Sequence, residues 1–271
     1  MYDFDYMRAS SVAVAASALA DHPDAKLLAG GQTYLPTLKQ RLANPPLLID
    51  LRDIGELKTI AKEGTKLSIG AMATHADIAA DPAVNELLPI FAKLAAGIGD
   101  PQVRHRGTIG GSLANNDPAA DYPSAILALN ATIVTDKRKI AAEDYFQGIF
   151  TTALEEDEIV THILIPQPKF SGYAKIEQRA SRYPLVGVFV ARLDDDADIR
   201  VAVTGAGADG VFRATDIEKA LAKNFDADAA STVKMDAANL MGDMHGSAEY
   251  RANLISVLVK RAIEGGIDAD G

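Results

Sequence analysis

Short apolar runs rich in β-branched residues alternate with helical patterns along the first part of the chain. The apolar runs predict strands and the patterns between them predict helices, so a mixed helix and strand architecture is expected. The predicted strands of this part span residues 26–29, 47–51, 67–71, 132–135 and 159–165.

Helix signals in the same part come from leucine spacing and from capping residues. Leucines at helical spacing predict a helix over 34–42. A second helix is expected to begin at Pro118 with Asp117 as its N-cap, since Pro is favoured in a first turn. The Ala-rich stretch 11–20 predicts an amphipathic helix capped by Ser10 rather than a signal peptide, because it is short and acidic residues precede it.

The pattern changes at 166–172, where two prolines and a glycine interrupt the apolar runs. Strands are then predicted close together, and helices follow them. Runs of strands followed by runs of helices indicate an α+β layer with its sheet covered on one face. The predicted strands are 173–177, 185–192 and 199–205, and the predicted helices lie near 214–223, 228–241 and 247–264.

Composition and charge narrow the class of protein. The chain has 271 residues, of which 48% are hydrophobic and 24% charged, so it fits one large globular domain or two modest ones. Its formal net charge of −10 argues against general binding to nucleic acid or anionic membranes, because both require clustered Lys and Arg. With no signal peptide and no membrane segment recognised, a cytoplasmic protein is expected.

The chain contains no cysteine. This excludes disulfides, thiol nucleophiles, cysteinyl-flavin bonds and cysteine-held iron–sulfur clusters within this chain. The five histidines have no short metal-ligand spacing, so no metal site is expected.

Two glycine-rich turns are the strongest candidates for ligand chemistry, and neither matches a Rossmann fingerprint or a P-loop. The first glycine turn, residues 29–33, reads AGGQT, and the second glycine turn, residues 107–112, reads GTIGGS. Glycine lets the backbone approach a ligand closely, and successive N–H groups attract an anion. Each turn alone is more often an ordinary tight turn, since glycine is the usual turn residue. Two turns so far apart fit a pyrophosphate clamped between two regions, as FAD would require.

Residues 100–123 read DPQVRHRGTIGGSLANNDPAADYP. This run closely resembles the hallmark of the medium, FAD-binding subunits of the xanthine dehydrogenase and carbon monoxide dehydrogenase family, and weaker resemblance extends over nearly the whole chain. The resemblance implies an α+β fold with a two-lobed FAD-binding domain of the vanillyl-alcohol-oxidase type (PCMH-type), followed by a small C-terminal domain of the carbon monoxide dehydrogenase flavoprotein type. The implied domains are 1–168, with its lobes split near 55, and 169–271.

The resemblance also implies which residues bind a non-covalent FAD. Around the pyrophosphate it implies Leu28, Ala29, Gly30, Gly31, Gln32, Thr33, Tyr34, Leu35, Thr108, Gly110, Gly111 and Ser112. Near the nucleotide or ribityl portion it implies Asn115, Ala120 and Asp121, and on the flavin side it implies Val160 and Lys175. A cation such as Lys175 near the ring would raise the flavin potential.

Several of these side chains have simpler interpretations. Asp121 is also a common residue type at a helix start, and a lone Lys in a strand is usually solvated. Arg104 and Arg106 could position the second glycine turn through salt bridges or face a partner subunit. Tyr183 and Phe189, two further aromatic candidates, could stack near the flavin or pack in the sheet.

No substrate-oxidising constellation is recognisable, so the resemblance implies that the flavin relays electrons. The implied partners are a large molybdopterin subunit and a small subunit with [2Fe–2S] clusters, as a dimer of heterotrimers. Two alternatives stay open: a stand-alone FAD-dependent oxidoreductase of the same fold, and a flavin-free scaffold subunit.

Overall fold

The computed structural model describes residues 1–193 and 198–269. Two short 3-10 helices lie at Gly55–Lys58 and Ala237–Asn239. The α-helices are α1 (Val12–Asp21), α2 (Tyr34–Lys39), α3 (His75–Ala80), α4 (Pro82–Leu87), α5 (Pro89–Ala96), α6 (Pro101–Arg104), α7 (Ile109–Asn115), α8 (Tyr122–Ala128), α9 (Ala142–Tyr145), α10 (Thr215–Lys223), α11 (Ala227–Ser231) and α12 (Ala248–Glu264).

Every strand predicted from the sequence is present, with small shifts at its ends. Further short strands complete the sheets. The strands are β1 (Asp5–Arg8), β2 (Lys26–Leu28), β3 (Leu47–Asp50), β4 (Ile60–Glu63), β5 (Lys66–Gly70), β6 (Thr132–Thr135), β7 (Lys139–Ala141), β8 (Phe146–Gly148), β9 (Thr151–Thr152), β10 (Val160–Pro166), β11 (Phe170–Glu177), β12 (Pro184–Arg192), β13 (Ile199–Thr204), β14 (Phe212–Arg213) and β15 (Ile267–Asp268).

The first lobe is a small parallel sheet in the order β1-β3-β2. All four residues of the central strand β3 are buried, so this strand forms the middle of the lobe. Helix α1 contributes the buried residues Ala15, Ala18 and Leu19 to the same core. The first glycine turn follows β2, at the carboxyl end of this parallel sheet.

The second lobe is an antiparallel sheet in the order β4-β5-β10-β6-β7. Its core includes buried residues of α3, α5, α7 and α8, which lie between the sheet strands in sequence. The second glycine turn leads into α7 and passes the end of β5, where Gly110 N donates to Ala71 O at 2.9 Å.

The C-terminal sheet is antiparallel in the order β14-β13-β12-β11-β15. Its central strand β12 is buried from Pro184 to Ala191, and alternate residues enter two different cores. Val188 and Val190 pack with the core that holds α12, whereas Phe189 and Ala191 pack with the core that holds α8. The expectation of a sheet covered on one face was therefore wrong, because α8 from the preceding region covers the other face.

Three helix predictions also require correction. Helix α1 is capped by Ser11, whose Oγ accepts from Val14 N at 3.2 Å, and not by Ser10. The region 228–241 forms only α11 and a 3-10 turn instead of one helix. The helix expected at Pro118 begins at Tyr122, because Asp117 Oδ1 accepts from Ala119 N at 2.9 Å and closes a turn instead.

The predicted domain boundary near 168 falls between β10 and β11, and the predicted split near 55 falls between β3 and β4. Both stay predictions. In the ranges 1–193 and 198–269, no helix is long and apolar enough to cross a membrane.

Candidate functional site

A cleft of about 570 Å³ lies where both lobes meet the C-terminal sheet. This volume is within the range of small-molecule and cofactor sites. Of the residues predicted to contact FAD, all line this cleft except Leu35 and Lys175. We call it the cofactor cleft. Contact with the cofactor itself stays a prediction for each of these residues.

The first glycine turn offers the cleft a set of unused backbone donors. The N–H groups from Gly30 to Tyr34 donate no hydrogen bond to any residue that the structure describes. Thr33 precedes α2 but makes no side-chain cap, so the start of that helix is uncapped as well. Because unpaired N–H groups lining a polar space attract anions, this turn suits a phosphate or pyrophosphate.

The two glycine turns touch each other directly, and glycine is required at the contact. A Cβ added at Gly30 would overlap the carbonyl oxygen of Arg106, which precedes the second turn. Gly31 has φ +76°, in the left-handed region that favours glycine. The turns therefore form one continuous wall, although 75 residues or so separate them in the chain.

The second glycine turn uses its donors differently from the first. Ile109 N donates to Ala73 O at 3.1 Å, and Gly111 N donates to Thr108 Oγ1 at 3.2 Å. The Ile109 bond and the Gly110 bond to Ala71 fasten the turn to the segment that follows β5, whereas the Gly111 bond closes the turn on itself. Its side chains Thr108 and Ser112 line the cleft, so hydroxyl groups are its more available contacts for a ligand.

Asp121 presents a carboxylate from the bottom of the cleft. Its Oδ1 accepts from Tyr173 Oη at 2.8 Å and from Lys175 Nζ at 2.8 Å, whereas Oδ2 accepts no hydrogen bond from any described residue. Burial raises the pKa of the Asp121 carboxyl above its usual range, and Lys175 and Tyr173 oppose that rise. The carboxylate is therefore held by two groups and keeps one oxygen for a ligand hydroxyl.

Lys175 lies behind the cleft wall rather than in it. Its ammonium donates to Gly97 O at 3.0 Å, Asp121 Oδ1 at 2.8 Å and Arg182 O at 2.8 Å. An ammonium has three N–H donors, so all of them are used inside the protein. In this arrangement Lys175 positions Asp121 and the loop that carries Arg182, and it has no free N–H for a flavin oxygen.

The connection between β11 and β12, residues 178–183, forms one edge of the cleft. We call it the hairpin loop. Its residues Ala180, Ser181, Arg182 and Tyr183 line the cleft, and the Tyr183 side chain is 43% exposed. Phe189, in contrast, is fully buried in the sheet. Of the two aromatic candidates, Tyr183 is the one available for stacking.

His75 is a cleft residue that sequence reasoning missed. Its Nδ1 lies 3.1 Å from Tyr122 Oη, and its backbone N–H donates to Gly107 O at 3.0 Å. Burial, with a smaller contribution from Arg104, lowers the pKa of the His75 imidazole to about 4, so it is neutral near pH 7. A neutral His therefore supports the second glycine turn from below. No spacing pattern indicates this role, because the contact joins residues far apart in the chain.

Arg104 has a structural role without a salt bridge. Its Nη1 donates to Ile98 O at 3.0 Å and to Gly99 O at 2.8 Å, so it closes the loop before α6. Of the two alternatives for Arg104, the structural role is the one that the structure shows, with carbonyl oxygens in place of the carboxylates of a salt bridge. Arg106 is exposed, and its side chain makes no hydrogen bond or ion pair within the described ranges.

The residues present fit FAD better than they fit a metal ion. The cleft combines unpaired N–H groups for a pyrophosphate, a carboxylate oxygen for a hydroxyl and an available aromatic ring. Among the residues that the structure describes, no group of three or more His, Cys, Asp or Glu side chains could hold a metal ion.

Two family models match the chain. Residues 2–168 match the FAD-binding domain in molybdopterin dehydrogenase, and residues 171–265 match the CO dehydrogenase flavoprotein C-terminal domain. The described fold and these two matches confirm the α+β, two-domain fold class expected from the sequence.

Several known proteins are similar to the chain over nearly its whole length and over nearly the whole of their own. The nicotine 6-hydroxylase medium subunit of Paenarthrobacter nicotinovorans is 38% identical, with 95% of each chain covered. The carbon monoxide dehydrogenase medium chain of Hydrogenophaga pseudoflava is 34% identical, with 96% of each chain covered. A solved structure of reconstituted CO dehydrogenase from Oligotropha carboxidovorans matches with a TM-score of 0.88 and 34% identity over 97% of both chains. The chain belongs to the family of FAD-binding medium subunits of the molybdenum hydroxylases.

Proposed function

We propose that this chain holds FAD non-covalently in the cofactor cleft and transfers electrons within a heteromeric molybdenum hydroxylase. The observation that carries the proposal is the row of unpaired N–H groups from Gly30 to Tyr34, facing a cleft of cofactor size in a chain of this family. A scaffold subunit that had lost its cofactor would have no need to keep these groups unpaired.

Each part of the cleft has a separate task in this proposal. The first glycine turn binds the pyrophosphate, Thr108 and Ser112 add hydroxyl contacts, and Asp121 accepts from a hydroxyl of the ribityl or nucleotide portion. Val160, on β10, supplies an apolar surface for the flavin side. Lys175 holds Asp121 and the hairpin loop in position. When bound, FAD supplies redox chemistry that joins one-electron carriers to a two-electron acceptor.

The electrons come from partner chains in this proposal. With no cysteine in the chain, the [2Fe–2S] clusters belong to a small subunit, and molybdopterin belongs to a large subunit. The names of the relatives, medium subunit and medium chain, support an assembly with other subunits. We propose a dimer of such heterotrimers, in the cytoplasm, that passes electrons to an external acceptor.

Purification of the tagged chain from its native host at low salt tests the proposal. The chromophore is released by heat and identified by chromatography, and the co-purifying chains are identified by mass spectrometry. We expect one FAD per chain and two partners, one of which contains iron and acid-labile sulfide. FAD without partners would indicate a self-contained oxidoreductase, and partners without flavin would indicate a scaffold subunit; either result would overturn the proposal.

A further inference from the structure

A second cavity, of about 410 Å³, adjoins the cofactor cleft. Asp117, Ala180, Ser181 and Tyr183 line both spaces. Because the same residues form part of both walls, a single layer of residues separates the two spaces there. A molecule in the second cavity would therefore lie close enough to exchange electrons with a flavin in the cleft.

The second cavity is held open by a buried hydrogen-bond network around Arg251, which is only 2% exposed. Its Nη1 donates to Leu185 O at 2.8 Å and also to Gly205 O, and its Nη2 lies 2.7 Å from Asp243 Oδ2. All four of these residues line the cavity. Three contacts of the two Nη atoms fix Arg251 in place, although its buried Nε has no hydrogen-bond partner among the described residues. The side chain is therefore held in one position at the edge of the cavity.

The charges around the second cavity do not suit an anionic ligand. Two carboxylates, Asp117 and Asp243, line the cavity together with one guanidinium, that of Arg251. Arg251 is already paired with Asp243, so it has little positive charge to offer a pyrophosphate. The volume is also smaller than that of the cofactor cleft. A dinucleotide acceptor is therefore disfavoured, and a compact neutral molecule is favoured.

Polar and apolar groups in the lining match a flat ring that carries carbonyl groups. The side chains of Gln178 and His245 make no hydrogen bond to any described residue, so both can donate to a ligand. Pro184, Leu185 and Met241 supply apolar surface in the same lining. Carbonyl oxygens accept hydrogen bonds without bringing charge into the cavity.

We propose that the second cavity binds a quinone, which serves as the external electron acceptor of this subunit. The proposal rests on the proposed function, since the electrons come from reduced FAD in the cleft. Two electrons and two protons leave FADH₂ overall, and they convert both quinone carbonyl groups to hydroxyl groups. FAD and a hydroquinone result, and no further reactant is required.

Filling the cavity in the purified complex tests this proposal, with menadione as the probe. Met241→Trp fills the cavity, and Met244→Trp is the matched control, because Met244 is 93% exposed and does not line the cavity. Ala119→Phe is a second filling variant, since Ala119 also lines the cavity. Equilibrium dialysis measures menadione binding without any need for turnover, and stopped-flow absorbance measures flavin reoxidation by menadione after anaerobic reduction.

We expect both filling variants to weaken menadione binding and slow flavin reoxidation at least tenfold, while Met244→Trp stays at the wild-type level. Unchanged binding in both filling variants would overturn the proposal, and so would flavin reoxidation by NAD⁺ that the same variants abolish. FAD content is measured in every sample. A complex without FAD would contradict the proposed function, whereas a complex with FAD and undiminished menadione binding would contradict only the quinone site.

Discussion

At the scale of single residues, Lys175 and Asp121 are the pair on which the cleft wall depends most. Lys175→Met leaves the buried Asp121 carboxylate without its cation, so we expect the free energy of unfolding to fall by roughly 3 kcal/mol near neutral pH. Urea unfolding followed by circular dichroism measures the change. The double variant Lys175→Met/Asp121→Asn should recover a large part of it, because no buried charge remains.

The pH dependence of the Lys175→Met defect has a defined sign. Burial already raises the pKa of Asp121 in the folded protein, and loss of the cation raises it further. A raised folded-state pKa favours folding below the unfolded value and loses that contribution as pH rises through the folded value. The defect should therefore shrink in acid, and a defect that grows in acid would contradict the assignment.

His75 is expected to make the protein sensitive to mild acid. The pKa of His75 is about 4 in the folded protein against 6.5 for the free side chain, so its contribution is complete above pH 6.5 and is lost as pH falls towards 4. As the pH falls from about 7 to about 5, the free energy of unfolding should decrease by roughly 2 kcal/mol because of this group.

The variant His75→Gln tests that expectation, because Gln keeps a hydrogen-bonding group for Tyr122 but does not titrate in this range. Urea unfolding at both pH values should give a smaller difference for the variant than for the wild type. Equal differences would mean that other groups cause the acid sensitivity.

Most of the residues predicted to bind FAD line the cleft, but the sequence did not predict the partners of their side chains. The glycine turns could be identified because glycine lets the backbone approach a ligand closely. Asp121 could be identified because it lies in the run that resembles the family hallmark. The sequence could not show that all three N–H groups of Lys175 are used inside the protein, nor that His75 contacts the second glycine turn. These features depend on contacts with Gly97, Arg182 and Gly107 that only the tertiary fold creates.

At the scale of elements, the contact between the two glycine turns determines the shape of the cleft. Gly30→Ala forces the first turn away from Arg106, so we expect the FAD content of the purified complex to fall at least tenfold. Gly55→Ala is the matched control, because an added Cβ there meets nothing within 4 Å. Flavin absorbance relative to protein measures the result, and equal FAD content in the two variants would contradict the role of the contact.

Strands were more predictable than helix starts in this chain. Apolar, β-branched runs mark β3, β5 and β10 because each lies in the middle of a sheet and is largely buried. The edge strands β1, β4, β7, β14 and β15 gave no comparable signal, whereas the edge strand β2 was predicted. The predicted start of α8 was wrong because an Asp caps a turn as readily as it caps a helix. The residue type of Asp117 alone does not distinguish the two.

At the scale of the whole molecule, residues 118–121 join the C-terminal sheet to the rest of the chain. Thr204 Oγ1 donates to Ala120 O at 2.7 Å and to Pro118 O at 3.0 Å, and Gly205 N donates to Pro118 O at 2.8 Å. Helix α8 also packs on β12 and β13. The cofactor cleft is therefore incomplete without the C-terminal region.

A chain ending at residue 168 should accordingly retain little FAD, because it lacks Lys175, Tyr173 and the hairpin loop. Co-expression of residues 169–271 as a separate chain should restore FAD content if 168 is a true domain boundary. Flavin absorbance after co-purification measures both outcomes. A fragment 1–168 that holds FAD at the full-chain level would contradict this dependence.

The sequence of the hairpin loop is expected to influence which electron acceptor a protein of this fold uses. Three of the loop's residues, Ala180, Ser181 and Tyr183, line both the cofactor cleft and the neighbouring cavity, whereas the pyrophosphate wall is built from the glycine turns of the two lobes. Exchange of this loop is therefore expected to change which oxidant reaches the flavin while the contacts of the pyrophosphate wall stay in place. For enzyme engineering, the loop is a place to redirect electrons from one acceptor to another without rebuilding the subunit.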